Sequence, residues 1–344
     1  MCKPFTMAQN LMLCLVRFRG AFVIAGTTLG VASNAIAQNI QLGMPMACEL
    51  GRTCYIQNYV DTDASASARD YKCGTLTYDA HNGTDFRVPS LEAQRAGVEV
   101  LASAGGRVLR ARDGMPDGVF DKSAREAVRD VECGNGALIE HAGNWETQYC
   151  HLANGSLQVK PGDLVKRGQP LGRVGRSGLT EYPHLHFTVR HRGTIADPFA
   201  YGAPANSCSG GELLWDASLH AQLVYQERTI LNAGFASGPV TMDLIEDGKA
   251  GMELPSANAP AIVAFVRAIG LKSGDVQWFA VRDPRGHIIA ETRTAPLERN
   301  KAQIMLFAGR KRPAGGWGHG TYKATYTVEH DGQVVLERDL ELRF

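Results

Sequence analysis

The sequence has no C-x-x-C pair among its eight cysteines, no uninterrupted apolar run of the roughly 20 residues a bilayer span needs, and almost no net charge. The first absence removes zinc held on paired thiolates. The second removes a transmembrane anchor, because the run A-F-V-I-A-G-T-T-L-G-V-A is short and is broken by Thr27, Thr28, Ser33 and Asn34. Nor does a lipid-attachment cysteine fit, since Cys14 precedes that run. The third is read from 36 Lys plus Arg against 35 Asp plus Glu, a formal +1. A pI near 7.6 leaves no field able to draw in nucleic acid or an anionic membrane surface.

What is present points to export and to two domains. The 344 residues are 44% apolar and 21% charged, a composition that can build real cores. Residues 1–37 hold Lys3, Arg17 and Arg19 but no acid, then the short apolar run, then Ala35-Ile36-Ala37 before Gln38. Basic start, apolar middle and small residues at a break describe a secretory signal peptide. The remaining 307 residues carry 33 basic and 35 acidic side chains and six cysteines: Cys48, Cys54, Cys73, Cys133, Cys150 and Cys208. An even count in an oxidising compartment favours disulfides. Cys133 and Cys150 flank the expected hairpin A-L-I-E-H … W-E-T-Q-Y and are the first pair assigned. Cys54 with Cys73 and Cys48 with Cys208 follow, though the sequence leaves other pairings open.

From Val98 to about Tyr201 short β-type runs alternate with Gly, Pro and Asn turns, as in an antiparallel sheet or sandwich. Asp113 to Val131 interrupts them with an acidic, Gly-rich insertion, whose acids lack the spacing of a calcium loop, and a helical turn expected around Ala124 to Val128. Composition shifts again around Cys208 to Gly211. The expected organisation is therefore a domain over 38–209 and a β-sandwich over 210–344, the latter without a His or Cys cluster. Near its end, Tyr322, Ala324, Tyr326 and Val328 share one face of a strand. A three-residue turn, His330 to Gly332, would pair Tyr326 with Leu336 and give Gly332 the left-handed position of a bulged turn.

Chemistry concentrates in three short segments. In His81-Asn82-Gly83-Thr84-Asp85 an extended backbone puts His81, Gly83 and Asp85 on one face, and the absent side chain at Gly83 leaves room for an ion. In Pro183-His184-Leu185-His186-Phe187 both imidazoles point to one side and Leu185 and Phe187 to the other. Tyr149-Cys150-His151-Leu152 adds a histidine on a strand, with Cys150 expected to face the opposite way. His81, Asp85 and His186 make a two-His, one-carboxylate set that suits zinc and leaves a fourth position for water. Such an open position means a catalytic metal. His141, His191, His220, His287, His319 and His330 fall outside the pattern.

H-N-G-T-D, Y-C-H-L and P-H-L-H-F, in that order, with V-K-P-G-D-L-V-K-R-G-Q-P-L-G-R-V-G between the last two and D-P-F after them, resemble the lysostaphin-type zinc endopeptidases of peptidoglycan. The likeness covers about residues 75–202. It implies an all-β chain whose antiparallel core is of the duplicated hybrid motif type, one Zn2+ per chain on His81, Asp85 and His186, and His151 with His184 as catalytic histidines. It also implies an exported hydrolase of stem-peptide cross-links, in its D,D-endopeptidase form, working in the periplasm or outside the cell. The alternative from another class is a non-catalytic wall-binding adaptor that activates another hydrolase. The chain departs from the family at Glu181-Tyr182, where Thr-Gly is usual, and at Thr188, where an acid often stands. The first change sets a phenol and a charge at the cleft rim and bears on substrate preference.

Overall fold

A computed structural model describes residues 39–118 and 122–344. The expected signal peptide lies outside the described residues. Asn39 to Phe344 form one compact unit. The described fold is all-β, with only the short helices α1 (Leu91–Ala96), α2 (Lys122–Ala127) and α3 (Met242–Glu246) and one 3-10 turn.

The first ten strands are β1 (Tyr55–Asn58), β2 (Thr84–Arg87), β3 (Glu99–Leu101), β4 (Gly106–Arg112), β5 (Asn135–His141), β6 (Trp145–Leu152), β7 (Leu164–Val165), β8 (Pro170–Arg173), β9 (His184–His191) and β10 (Thr194–Ile195). They build an antiparallel sheet in the order β1-β2-β9-β6-β5-β4-β7, with β10 beside β9, while β3 and β8 pair separately. Alternation explains the central strand. Leu185, Phe187 and Val189 are buried in a core with Phe86 and Tyr149, which leaves His184, His186, Thr188 and Arg190 for the opposite face. That core draws on Leu214, Trp215 and Leu223, beyond the composition shift at Cys208.

The next seven are β11 (Thr229–Ala236), β12 (Ala261–Leu271), β13 (Val276–Arg282), β14 (Ile288–Arg293), β15 (Lys301–Lys311), β16 (Thr321–His330) and β17 (Gln333–Arg343). They form two sheets, β11-β12-β15 and β14-β13-β16-β17. Phe235, Ile262, Ala264 and Val266 meet Phe279, Tyr322, Tyr326 and Val328 between them, which makes a sandwich. The alternate residues of β12 are buried too: Val263 and Phe265 pack with Val240 and Ile245, and Ile269 packs with Leu231 and with Tyr55 of β1. Burial on both faces explains why β12 reads as an apolar run interrupted only by Arg267.

Three expectations are corrected here. The last hairpin closes through a two-residue turn, Asp331 (φ 49°) and Gly332 (φ 76°), with His330 opposite Gln333. A bulge between Val328 and Glu329 on one strand and Val334 and Leu336 on the other then restores even-to-even pairing, so Tyr326 stands opposite Arg338 and Val328 opposite Leu336. The disulfides are Cys48–Cys54, Cys73–Cys208 and Cys133–Cys150. The last is as expected; the pairs Cys54–Cys73 and Cys48–Cys208 are not formed. Cys48 and Cys54 flank a tight turn in which Thr53 and Cys54 donate to the Glu49 carbonyl. Cys73 sits at φ 56° in a turn folded around Asp70, which accepts from the amides of Lys72, Gly74 and Leu76 and leaves Cys73 to reach Cys208.

Asp197, of the D-P-F segment, supplies a stability test. Its Oδ2 is buried with no hydrogen-bond donor. Burial, reinforced by the nearby Asp70 carboxylate, raises it to about 7 against the help of the Phe199 amide. A carboxyl raised on folding stabilises fully below its unfolded value and loses that contribution as pH rises toward 7. The loss is at most about 4 kcal/mol, less whatever the residue's partial exposure screens. Asp197→Asn is therefore expected to melt above the native chain at pH 8 and to lose that advantage near pH 4, measured by calorimetry at both.

Candidate metal centre and catalytic histidines

Strand register assembles the centre. Asp85 on β2 lies opposite His186 on β9, Arg87 opposite His184, and His186 opposite Cys150 on β6. His81 enters from the loop just before β2. Gly83 is required between them, because a Cβ there would stand 2.7 Å from His186 Nε2 and 2.8 Å from the Phe187 carbonyl oxygen. The space it leaves is taken by the His186 ring.

Each donor atom is aimed by a partner on its far side. His81 Nδ1 donates to the Tyr59 carbonyl at 2.6 Å, which turns Nε2 inward. His186 Nε2 lies 3.0 Å from Asn82 Oδ1, an acceptor, which turns Nδ1 inward. Asp85 Oδ1 lies 3.2 Å from His81 Nε2 and 2.9 Å from His186 Nδ1, and those two nitrogens are 3.2 Å apart. These three atoms thus converge on one point, and with both rings neutral all three offer lone pairs to a cation. Tetrahedral zinc with bonds of 2.0–2.1 Å requires ligand atoms about 3.3 Å apart, so the donor set fits in both chemistry and spacing. Burial opposes the Asp85 charge, yet His81, His184 and His186 outweigh it and hold the carboxyl well below the usual carboxylate range. Burial lowers His186, whereas at His81 the neighbouring Asp85 overcomes burial and raises the ring.

His151 and His184 stand beside this set, with ring centroids 4.7 Å apart. His151 occupies φ 64°, a left-handed conformation costly for a residue with a Cβ. It belongs to a bulge: Asn135 pairs with Leu152 and Ala137 with Tyr149, leaving Cys150 and His151 opposite Gly136. This corrects the expectation that Cys150 faces away from His151. The extra residue breaks the alternation, and Cys150 and His151 both line a cleft of about 300 Å³ with His81, His186 and Arg190. His151 Nδ1 donates to the Ser177 carbonyl at 2.8 Å. Burial, then the neighbouring His184 and His186 rings, pushes His151 well below the ordinary histidine range, so its ring is neutral at pH 7 with Nε2 as the free acceptor. His184 Nδ1 donates to the Tyr182 carbonyl at 2.9 Å, and its Nε2 lies 3.5 Å from Asp85 Oδ1.

All five residues singled out by sequence are thus brought together. Others emerge only from the fold. Asn58 Nδ2 donates to Asp85 Oδ2 at 3.0 Å, and the Tyr182 hydroxyl reaches the same oxygen at 3.4 Å. Tyr182 carried a signal as a departure from the family pattern, and Asn82 lies inside the H-N-G-T-D segment. Asn58 carried none. On the other side of the histidines a groove of about 650 Å³ runs past Asn58 and Tyr182 to Leu271, Asn300 and Lys301 of the sandwich.

Residues 79–198 match Peptidase family M23, and the chain carries a domain of that family there. The peptidoglycan DD-endopeptidase ShyB of Vibrio cholerae is 33% identical over 133 residues, 38% of this chain and 26% of that protein. The cell division protein DipM of Caulobacter vibrioides is 33% identical over 117 residues, 34% of this chain and 15% of its own length. The chain thus spans about a quarter or less of the length of these curated relatives. The solved catalytic domain of the antimicrobial peptidase lysostaphin from Staphylococcus simulans is 27% identical, over 35% of this chain and 77% of that one. Its TM-score of 0.26 is too low to carry an argument.

Proposed function

We propose that this protein is an exported zinc metalloendopeptidase that hydrolyses the peptide cross-links of peptidoglycan as a D,D-endopeptidase, in the periplasm or outside the cell. His81, Asp85 and His186 hold one zinc ion, and His151 and His184 are the catalytic residues. The peptidase occupies 38–209, its core completed by Leu214, Trp215 and Leu223, and the sandwich of the 210–344 part is built from Thr229 onward. One observation carries the reading: His81 Nε2, Asp85 Oδ1 and His186 Nδ1 converge within 3.2 Å of one another, the spacing a tetrahedral cation requires of its ligands. Three disulfides support an oxidising compartment, and ShyB's activity supports the substrate class. No helix among the described residues is long and apolar enough to cross a membrane. The adaptor alternative gains nothing from a site in which all five positions are filled.

Bound zinc would supply Lewis acidity, making water acidic near neutral pH and polarising a carbonyl. The chain's own groups do the rest. His151, neutral and fixed through Nδ1 by Ser177, presents Nε2 to the cleft and takes the proton of the attacking water. His184, aimed by the Tyr182 carbonyl, turns Nε2 to the same space, where in its protonated form it donates to the tetrahedral oxyanion and to the leaving amine. Thr188 Oγ1, 3.1 Å from His186 Nε2, helps hold that ring in its ligating orientation.

Digestion of purified cell-wall sacculi tests the reading. Solubilisation is expected, abolished by a chelator and restored by stoichiometric zinc. Undiminished digestion after chelation and dialysis would remove the metal from the mechanism.

A further inference from the structure

Asp85 uses one oxygen for the metal set and the other for a different purpose. Its Oδ2 accepts from Asn58 Nδ2 at 3.0 Å and from the Tyr182 hydroxyl at 3.4 Å, and Asn58 Nδ2 also donates to that hydroxyl at 3.0 Å. Tyr182 additionally gives its carbonyl to His184 Nδ1 at 2.9 Å. One residue therefore orients both a metal ligand and a catalytic histidine. Its ring is held by Arg87, whose guanidinium carbon lies 4.3 Å from the ring centroid. Arg87 follows Asp85 by two residues on β2, so alternation sends both side chains to the site face.

Arg87 is fully buried, and its anion comes from the sandwich. Its NH2 donates to Glu246 Oε2 of α3 at 2.9 Å, and its NH1 donates to Gln57 Oε1 at 2.6 Å and to Gln303 Oε1 of β15 at 3.1 Å. Glu246 is fixed in turn by Arg267 of β12, also fully buried, which donates to the Pro89 carbonyl at 2.6 Å and to Asn232 Oδ1. Two buried guanidinium groups thus share one carboxylate. A buried cation without its anion is strongly disfavoured, so the place of Arg87 beneath Tyr182 depends on α3.

We propose that the C-terminal sandwich sets the geometry of the metal centre through this relay, Glu246 to Arg87 to Tyr182 to Asp85, with Tyr182 and Glu246 as positioning residues. The proposal rests on the reading of His81, Asp85 and His186 as a zinc site. It gives residues 210–344 a role in the reaction besides any part in binding the wall. It also changes the meaning of Tyr182, which is a support for the ligand besides being a feature of the cleft rim.

The test uses the full chain, zinc affinity by chelator competition, and kcat and KM on a defined cross-linked muropeptide. Tyr182→Phe keeps the ring over Arg87 and removes only the hydroxyl. It is expected to weaken zinc binding by about 10-fold or more, as loss of a group orienting a ligand does, and to lower kcat with KM little changed. Glu246→Gln should move zinc affinity in the same direction. The Tyr182→Phe/Glu246→Gln double variant should bind zinc no more weakly than the worse single, because both act through one hydrogen bond. If Glu246→Gln fails to fold, Glu246→Asp, which keeps the charge and shortens the reach, carries the same expectation. Native zinc affinity in Tyr182→Phe, or fully additive losses in the double variant, overturns the relay. A native chain that binds no zinc would overturn instead the functional reading on which the relay rests.

Discussion

Replacing His81 or Asp85 with alanine is expected to remove stoichiometric zinc and hydrolysis together. Among the described residues three ligand atoms converge there, so each substitution leaves two, too few to hold the ion against dilution. The two variants should nevertheless differ. In Asp85→Ala the anion that faces His81, His184 and His186 is gone, and Asn58 and Tyr182 lose their acceptor. In His81→Ala the carboxylate survives and keeps His186 at 2.9 Å. Residual weak zinc binding is therefore expected in His81→Ala before Asp85→Ala. Metal content per chain after gel filtration, read beside muropeptide cleavage, checks this. Either variant retaining one zinc per chain would remove that residue from the ligand set.

His151→Ala is expected to behave in the opposite way, keeping its zinc while activity falls by about 10² or more, the size of a general acid–base contribution. His151 is not among the three converging ligand atoms, and its ring is anchored through Nδ1 to the Ser177 carbonyl. Its backbone adds a second readout. At φ 64° a Cβ is strained, so His151→Gly should be more stable than His151→Ala by roughly 1 kcal/mol, although both are equally inactive. Stability and activity are thus separable at one position. Zinc lost from His151→Ala would make His151 a ligand, and equal stability of the two variants would contradict the strained bulge.

That bulge shows where sequence reading stops. Period-two alternation located β6 and β9, placed His184 and His186 on one face, and put Leu185 and Phe187 in the core. It failed at Cys150 because one extra residue reverses the side, and nothing in Y-C-H-L marks the extra residue. The last hairpin failed for the same reason, since a bulge between Val328 and Glu329 compensates for the parity of the turn. Disulfide pairing was legible only where a local hairpin brings two cysteines together, as at Cys133 and Cys150. Cys73 finds Cys208 across 135 residues, a separation that carries no spacing signal. The groups that orient the ligands from behind were the least legible. Tyr59 and Ser177 act through backbone carbonyls, which any residue type supplies, and Arg87 meets Glu246 where α3 packs, through Ile245, on the second buried face of β12.

The most direct test of the central claim is mass spectrometry of a purified, cross-linked dimeric muropeptide after incubation with the zinc-loaded chain. The products should be two monomers whose summed mass exceeds that of the dimer by one water, formed by the native chain and absent with Asp85→Ala. A dimer left intact by a chain carrying one zinc, or one cut in its glycan strand with the cross-link unbroken, would contradict the assignment.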